Sequence, residues 1–478
     1  MSEKHLLAKI AKFELKHQNN SAEKRQLSQR VRDLTASRDL WKSKFQDLQT
    51  NLPQRGSRKK TDFEFRSAPI LGHKFDLNLV YMSLCLYFMA GCSLRGVKRV
   101  LLCFQLEYGL FSCDLPSKTT INNWIEKVGY YEYTNLDNNL YIDDYAIIID
   151  ESIVIGQQRM MVVLGLPAVK TTTKASDLGT VRLLYLAVRA TWKSADIVIF
   201  LNQLIEKMGK PPLYVISDGG SNLKRGIKDS KLLRICDVGH EIAKFVEQTY
   251  KHQEVFKAFS TAVAGVKFRE ILKNTAYLLP PKQRAIARFM NLSDTVDWAT
   301  KMLSALPKLT EVEQQTFDFL KDYRSLIKEL EDVFEMVHKL LKILKNTGIS
   351  HENIEKCTLL VQQYIMKMPP ILVGKINTYF KNEAGKITDK STSWHASSDI
   401  IESLFGKFKQ RAATNKLNGV TSLVLSLGLY SRFKEPDDQM KDEIKNALQD
   451  VSMADLHTWK RKYLIENQVV RRRKMLKK

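Results

Sequence analysis

The sequence predicts a multidomain α+β protein. A mixed sheet with its elements in the order β-β-β-α-β-α-β-α is interrupted by an all-α insertion and preceded by helical segments. Three observations carry this. Three β-favouring runs, at 146–155, 160–166 and 181–188, follow one another without a helical spacer, which is the pattern of an antiparallel meander. Helical and β patterns then alternate: a helix over 194–208, a strand over 213–217, a helix, a strand over 232–236, and a helix from 238. From 250 to 390 there are no clear strands, only long 3.6-residue periodicities such as Phe317, Leu320, Tyr323, Leu326 and Leu330, continued by Phe334, Val337 and Leu341.

With 478 residues and 44% hydrophobic content, the chain can bury several cores. The 75 Lys and Arg outnumber the 52 Asp and Glu, for a formal charge of +23, so a polyanionic partner is the simplest implication and nucleic acid the commonest one. An anionic membrane fits less well, because the basic residues are spread along the chain instead of gathering on one amphipathic helix. The most apolar run, 77–94, is broken by Asn78, Ser83, Gly91 and Ser93 and reads as a core helix. Cys85, Cys92, Cys103, Cys113, Cys236 and Cys357 form no CxxC pair and no Cys/His finger spacing, which argues against structural zinc and for reduced thiols in a cytoplasmic protein. The first residues, MSEKHLLAKIAKFELKHQ, carry charge throughout and lack the apolar core of a signal peptide.

Within residues 1–52 one heptad frame runs from Leu6 to Leu52, with His17, Asn20 and Lys24 in the seam of its middle, so that the coiled-coil pattern lies in the 27–52 half. Leu6, Phe13, Leu27, Leu34, Trp41 and Leu48 mark the frame, with Ile10, Val31, Phe45 and Leu52 four residues after members of the series. This predicts a coiled coil that makes the protein a homodimer or higher; the alternative is one amphipathic helix packed on its own body. Residues 53–73 form a basic linker opened by Pro53, in which Arg58, Lys59 and Lys60 can follow a phosphate backbone or serve as a solvated hinge. Residues 74–140 read as helical. One helix begins at Ser93 and another at Pro116 or Ser117. In the second, Ile121, Trp124 and Ile125 share a face and leave Lys118, Thr119, Asn122 and Asn123 outside, side chains that bond base edges and phosphates. The pair reads as a helix-turn-helix-like DNA-binding domain with 116–128 as the reading helix, or else as an ordinary helical hairpin. At the other end, 437–478 is a helical basic tail that closes on Arg471, Arg472, Arg473 and Lys474.

The chemistry gathers at three carboxylates. Asp218 ends the strand 213–217 before the turn Gly219-Gly220, and strand ends in α/β sheets are where ligands and metals usually bind; a turn aspartate is the plain alternative. Asp150 lies within the first strand, beside Glu151, which must point to the opposite face; Asp143 and Asp144 belong to the entry turn. Glu402 falls on a helix capped by Ser397 or Ser398. There Ile400, Ile401, Leu404, Phe405 and Phe408 make the packing face and Glu402 sits just off it, with Gly406 and Lys409 on its side. Asp399, one turn earlier, is an alternative third ligand, and Asp237-x-x-His240 opens the helix after the fifth strand.

In element order and carboxylate placement the chain resembles the ribonuclease H-like catalytic domain of DDE transposases of bacterial insertion sequences. Asp237-Val-Gly-His240 is similar to the C/D-x-x-H signature of Mutator-like and related transposases. The resemblance covers about 145–250 and 394–415. It implies a catalytic domain in two parts, 141–250 and 391–436, around an insertion at 251–390. It implies catalytic Asp150, Asp218 and Glu402 holding two Mg²⁺ or Mn²⁺ ions about 4 Å apart, with Asp237, His240 and Lys409 as accessory residues. Water would release a 3′-hydroxyl at the element end, and that hydroxyl would attack target DNA, one phosphodiester replacing another without ATP. The implied partners are double-stranded DNA, as terminal inverted repeats and as target, in the bacterial cytoplasm and nucleoid, with no membrane. Trp298 or Trp394 could stack on a flipped base if hairpins form. A transposase descendant kept only for DNA binding, and a ribonuclease H-like nuclease or resolvase, are the rival readings.

Overall fold

Capping aspartate and serine side chains start the first helices of the computed structural model. Asp76, Ser93 and Ser117 each accept the backbone N–H three residues on, opening α1 (Leu77–Phe88), α2 (Leu94–Tyr108) and α3 (Lys118–Thr134). The residues described are 72–110, 114–135, 144–155, 158–168, 174–281, 292–411, 419–434, 438–466 and 468–476, with single positions between them and scattered helical positions between 28 and 43. Two units are described separately, Met1–Glu64 and Phe65–Lys478. Most of the heptad series, and Arg58, Lys59 and Lys60, lie outside the described residues. The apolar run at 77–94 forms α1 and the start of α2, with Leu79, Val80, Leu84 and Tyr87 of α1 buried. Among the described residues no helix is long and apolar enough to cross a membrane.

The sheet follows. β1 (Tyr145–Ile155), β2 (Gln158–Pro167) and β3 (Arg182–Arg189) form the antiparallel meander, and α4 (Ser194–Met208) then leads to β4 (Val215–Ser217). After α5 (Ser221–Asp229) comes β5 (Arg234–Cys236), and the strand order is β3-β2-β1-β4-β5, with β4 and β5 parallel to β1. Side-chain alternation gives β1 two buried faces. Tyr145, Ile147 and Ile149 pack with Phe200, Leu201 and Leu204 of α4 and Leu223 and Ile227 of α5, whereas Ala146 and Ile148 join Ile216 and Ile235 in the larger core on the other side. The predicted succession of strands and helices is observed, with β4 and β5 shorter than the apolar runs that contain them.

Register sets the important row. Ile149 pairs with Ser217, and Ser217 with Cys236, so Asp150, Asp218 and Asp237 are the next residues at the carboxyl edge of three adjacent parallel strands. Asp237 then caps α6 (Val238–Tyr250).

The helical region follows as α7 (Glu254–Glu270), α8 (Leu292–Ala305), α9 (Glu311–Phe317), α10 (Arg324–Thr347), α11 (His351–Gln363) and α12 (Pro370–Ala384). The long α10 packs on α8, α11 and α6, while α12 packs on α6 and α11. At its end the chain is tied back to the sheet. Ile349 and Trp394 form an antiparallel bridge, and Trp394 stacks on Tyr214 with ring centroids 4.7 Å apart. Thr172, from the β2–β3 connection, bonds Ser393 through its N–H and its hydroxyl, and Val238 N–H donates to the Ala396 carbonyl at 2.9 Å. Only then does α13 (Asp399–Arg411) begin, burying Ile401, Leu404, Phe405 and Phe408 and packing on β1.

The C-terminal helices turn back to the beginning. After α14 (Ser426–Arg432), α15 (Asp438–Asp450) packs on α1 and α3, and α16 (Met453–Tyr463) packs on α3. Trp459 is buried edge-on to Tyr130 and Tyr133. The last helix, α17 (Gln468–Leu476), buries no residue and carries the basic run.

Gly348 shows how tight the return is. Its φ is +73°, and a Cβ there would stand 2.5 Å from the Trp394 carbonyl oxygen. Gly348→Ala should therefore lower stability by on the order of 2–4 kcal/mol in denaturant titrations. Gly374→Ala in α12, where a Cβ meets open space, should be neutral or stabilising by up to about 1 kcal/mol.

Candidate active site

The site is built where three strand ends meet α13. Pleat alternation puts Asp150 on the same face as Ile148, the face on which α13 packs. Asp218 leaves β4 into the Gly219-Gly220 turn, and one of its carboxylate oxygens accepts the Gly220 N–H at 3.0 Å. Its backbone is braced by Arg234, which donates from Nε to Ser217 Oγ at 2.7 Å, from Nη2 to the carbonyls of Ser217 and Asp218, and from Nη1 to Cys236 Sγ. Sequence pattern does not single Arg234 out; a long cation within a three-residue edge strand is the one signal it offers.

Asp237 is 1% exposed and accepts four hydrogen bonds. One oxygen takes the backbone N–H and Nδ1 of His240 at 2.7 and 3.0 Å; the other takes the N–H and hydroxyl of Ser398 at 2.5 and 2.7 Å. Burial works against its charge, but the bonds and charge of His240, with Ser398, outweigh it and hold the carboxyl below its usual range. Asp237 is thus a strut joining the start of α6 to the start of α13. The Asp237 hydrogen bond, working against burial, raises the His240 pKa to about 9, aided by the charges of Asp237, Glu402 and Asp218. At neutral pH His240 is an imidazolium, and its Nε2 stands 3.4 Å from Glu402 Oε1.

Glu402 is half exposed, and its carboxyl is raised by burial and by Asp399 and Asp237, against the charges of His240 and Lys345. Asp399 forms an ion pair with Lys345 Nζ at 2.5 Å. Asp150 is the most perturbed of the three predicted ligands. Burial first, then the charges of Asp218 and Glu402, push its pKa up to about 7, against the charge of His240 and a hydrogen bond from the Glu151 backbone. Among the described residues no three His, Cys, Asp or Glu side chains stand in ligand geometry around a common point, so Asp150, Asp218 and Glu402 meet through their fields rather than by contact. Their oxygens, partly desolvated, are nonetheless of the kind that would suit a hard divalent cation such as Mg²⁺ or Mn²⁺.

The other predicted residues fall elsewhere. Lys409 is exposed two turns beyond Glu402 on α13. Lys118 and Thr119 are exposed on the first turn of α3, and Asn123 is half-buried. The Asn122 amide donates to Glu126 at 2.9 Å, within a buried cluster that Ser422 and Lys460 complete. Trp394, 8% exposed and stacked on Tyr214, has no open face for a base, and Trp298 Nε1 donates to the Leu278 carbonyl. Compared with protein-family models and with curated proteins, the sequence finds no match.

Because the Asp150 pKa rises from 3.8 to about 7, the folded protein holds this proton more tightly than the unfolded chain. The resulting stabilisation is complete below the unfolded value and is lost as pH rises through 7. Without divalent ions, Asp150→Asn should change stability little near pH 4 and raise it by on the order of 3 kcal/mol at pH 8, read from unfolding at the two pH values. An effect independent of pH would show that the carboxylate is not under this strain.

Proposed function

We propose that the chain is a DNA transposase of the DDE type, from a bacterial insertion sequence, with a ribonuclease H-like catalytic domain interrupted by the helical region. One observation carries this reading. Asp150 and Asp218 share a row at the carboxyl edge of the sheet, the helix bearing Glu402 packs on β1, and the combined field of Asp218 and Glu402 adds to burial in displacing Asp150. The strand order β3-β2-β1-β4-β5 and the excess of 75 basic over 52 acidic residues support the same reading.

Asp150, Asp218 and Glu402 would hold two divalent ions, which supply activation of the attacking oxygen and stabilisation of the leaving one. The protein's own groups do the rest. The Asp237 strut fixes the start of α13 and hence the position of Glu402; the His240 imidazolium orients that carboxylate and sets positive charge beside the scissile phosphate. Lys409, with Lys118 and Thr119 on α3, would contact DNA phosphates and bases, the substrates being terminal inverted repeats and target DNA. Water cuts the element end to leave a 3′-hydroxyl, which displaces a 3′-oxygen in target DNA, conserving the number of phosphodiester bonds in the joining step. A dimer through residues 1–52 would bring two ends together in the bacterial cytoplasm.

A DNA fragment carrying the sequences that flank the gene, incubated with the protein and Mg²⁺, should yield cut and joined products. Asp218→Ala and Glu402→Gln should each lower the yield by about 100-fold or more while leaving DNA affinity within a few-fold. Cutting without joining would identify a nuclease, and end-specific binding without cleavage in Mg²⁺ or Mn²⁺ would contradict the enzymatic reading.

A further inference from the structure

The helical region does more than separate Asp218 from Glu402 in the sequence, for its longest helix ends at the carboxylate site. Lys345, in the last turn of α10, places Nζ 2.5 Å from Asp399, one turn before Glu402 on α13. The same ammonium lies 3.5 Å from where a Cβ on Gly239 would stand, in the first turn of α6 and next to His240. Its side chain is 26% exposed, and its charge acts on Glu402. His338, Lys342 and Lys345 recur at spacings of four and three, so they share one face of α10. His338 and Lys342 are exposed.

We propose that this face of α10 is a phosphate-binding track for the DNA strand entering the site, and that Lys345 is parked on Asp399 until a phosphodiester replaces that carboxylate as its partner. The proposal rests on the DNA-processing reading of the carboxylate site. Its physical basis is exchange between equivalent charges. Asp399 is half exposed, so the existing pair is worth little, and a phosphate oxygen can take the ammonium at small net cost. The exchange sets a cation against the DNA backbone next to Glu402 and leaves Asp399 to water. A brace that only held α10 to α13 would need the pair intact in every state.

The two roles give opposite signatures. Binding of a duplex oligonucleotide is followed by fluorescence anisotropy at several salt concentrations, with Ca²⁺ in place of Mg²⁺, for the 478-residue protein and the variants Lys345→Ala, Lys345→Arg, Lys342→Ala and Asp399→Asn. A phosphate contact requires Lys345→Ala, and likewise Lys342→Ala, to reduce the slope of log affinity against log salt by about one. Lys345→Arg should keep the slope, and Asp399→Asn, which frees the ammonium, should bind as tightly as the wild type or several-fold more tightly. Unchanged slope in Lys345→Ala overturns the proposal. So does equal weakening by Lys345→Ala and Asp399→Asn, the mark of a structural salt bridge. Since only binding is read, failure of the wild type to cleave DNA would count against the transposase reading and leave this comparison intact.

Discussion

The carboxyl edge of the sheet depends on the hydrogen bonding of one buried carboxylate. Asp237 is 1% exposed, and a bare charge there would be costly; four donors, two from His240 and two from Ser398, make it tenable. Because Ser398 lies 161 residues further along the chain, those bonds close the path that leaves β5, runs through the α-helices α6 to α12 and returns as α13. They also hold His240, whose Nε2 stands 3.4 Å from Glu402 Oε1. The same strut that starts α6 therefore sets where a residue of a distant helix faces Asp150.

Electrostatics tells which carboxylates are structural. Asp237 is held below its usual range because the donors around it outweigh its burial. Asp150 is not. Its pKa near 7 reflects burial beside the charges of Asp218 and Glu402, offset by His240 and a backbone hydrogen bond, an arrangement that costs stability once the carboxyl ionises. A hard cation would relieve it.

What the sequence made legible was local and periodic. The three β runs, the span of α4, the serine caps of α2 and α3 and the apolar face of α13 all follow from spacing or capping chemistry, and the structure has them. The row of Asp150 and Asp218 is also present, though only the strand end at Asp218 follows from where an apolar run stops; Asp150 lies inside its strand, and its place beside Asp218 comes from the pairing of β1 with β4. The illegible part is long-range pairing. Asn122 and Glu126 stand one turn apart on α3, but nothing in residues 116–128 foretells that Ser422 and Lys460 bury Glu126, because those partners come from the far end of the chain. Periodicity equally hides the return of α15 and α16 onto α1 and α3, the Thr172 tie to Ser393, and the Arg234 brace under Asp218. Trp394 looked available for stacking on a base; its partner, Tyr214, lies 180 residues earlier in the chain.

The claim on which the rest turns is that Asp150, Asp218 and Glu402 form one cation site, and calorimetric titration of the metal-free protein with Mn²⁺ tests it most directly. Binding should be seen in the wild type, should tighten as pH rises through 7 because Asp150 must lose its proton, and should weaken sharply in Glu402→Gln. Absence of Mn²⁺ binding, or binding indifferent both to pH in that range and to Glu402, would contradict it.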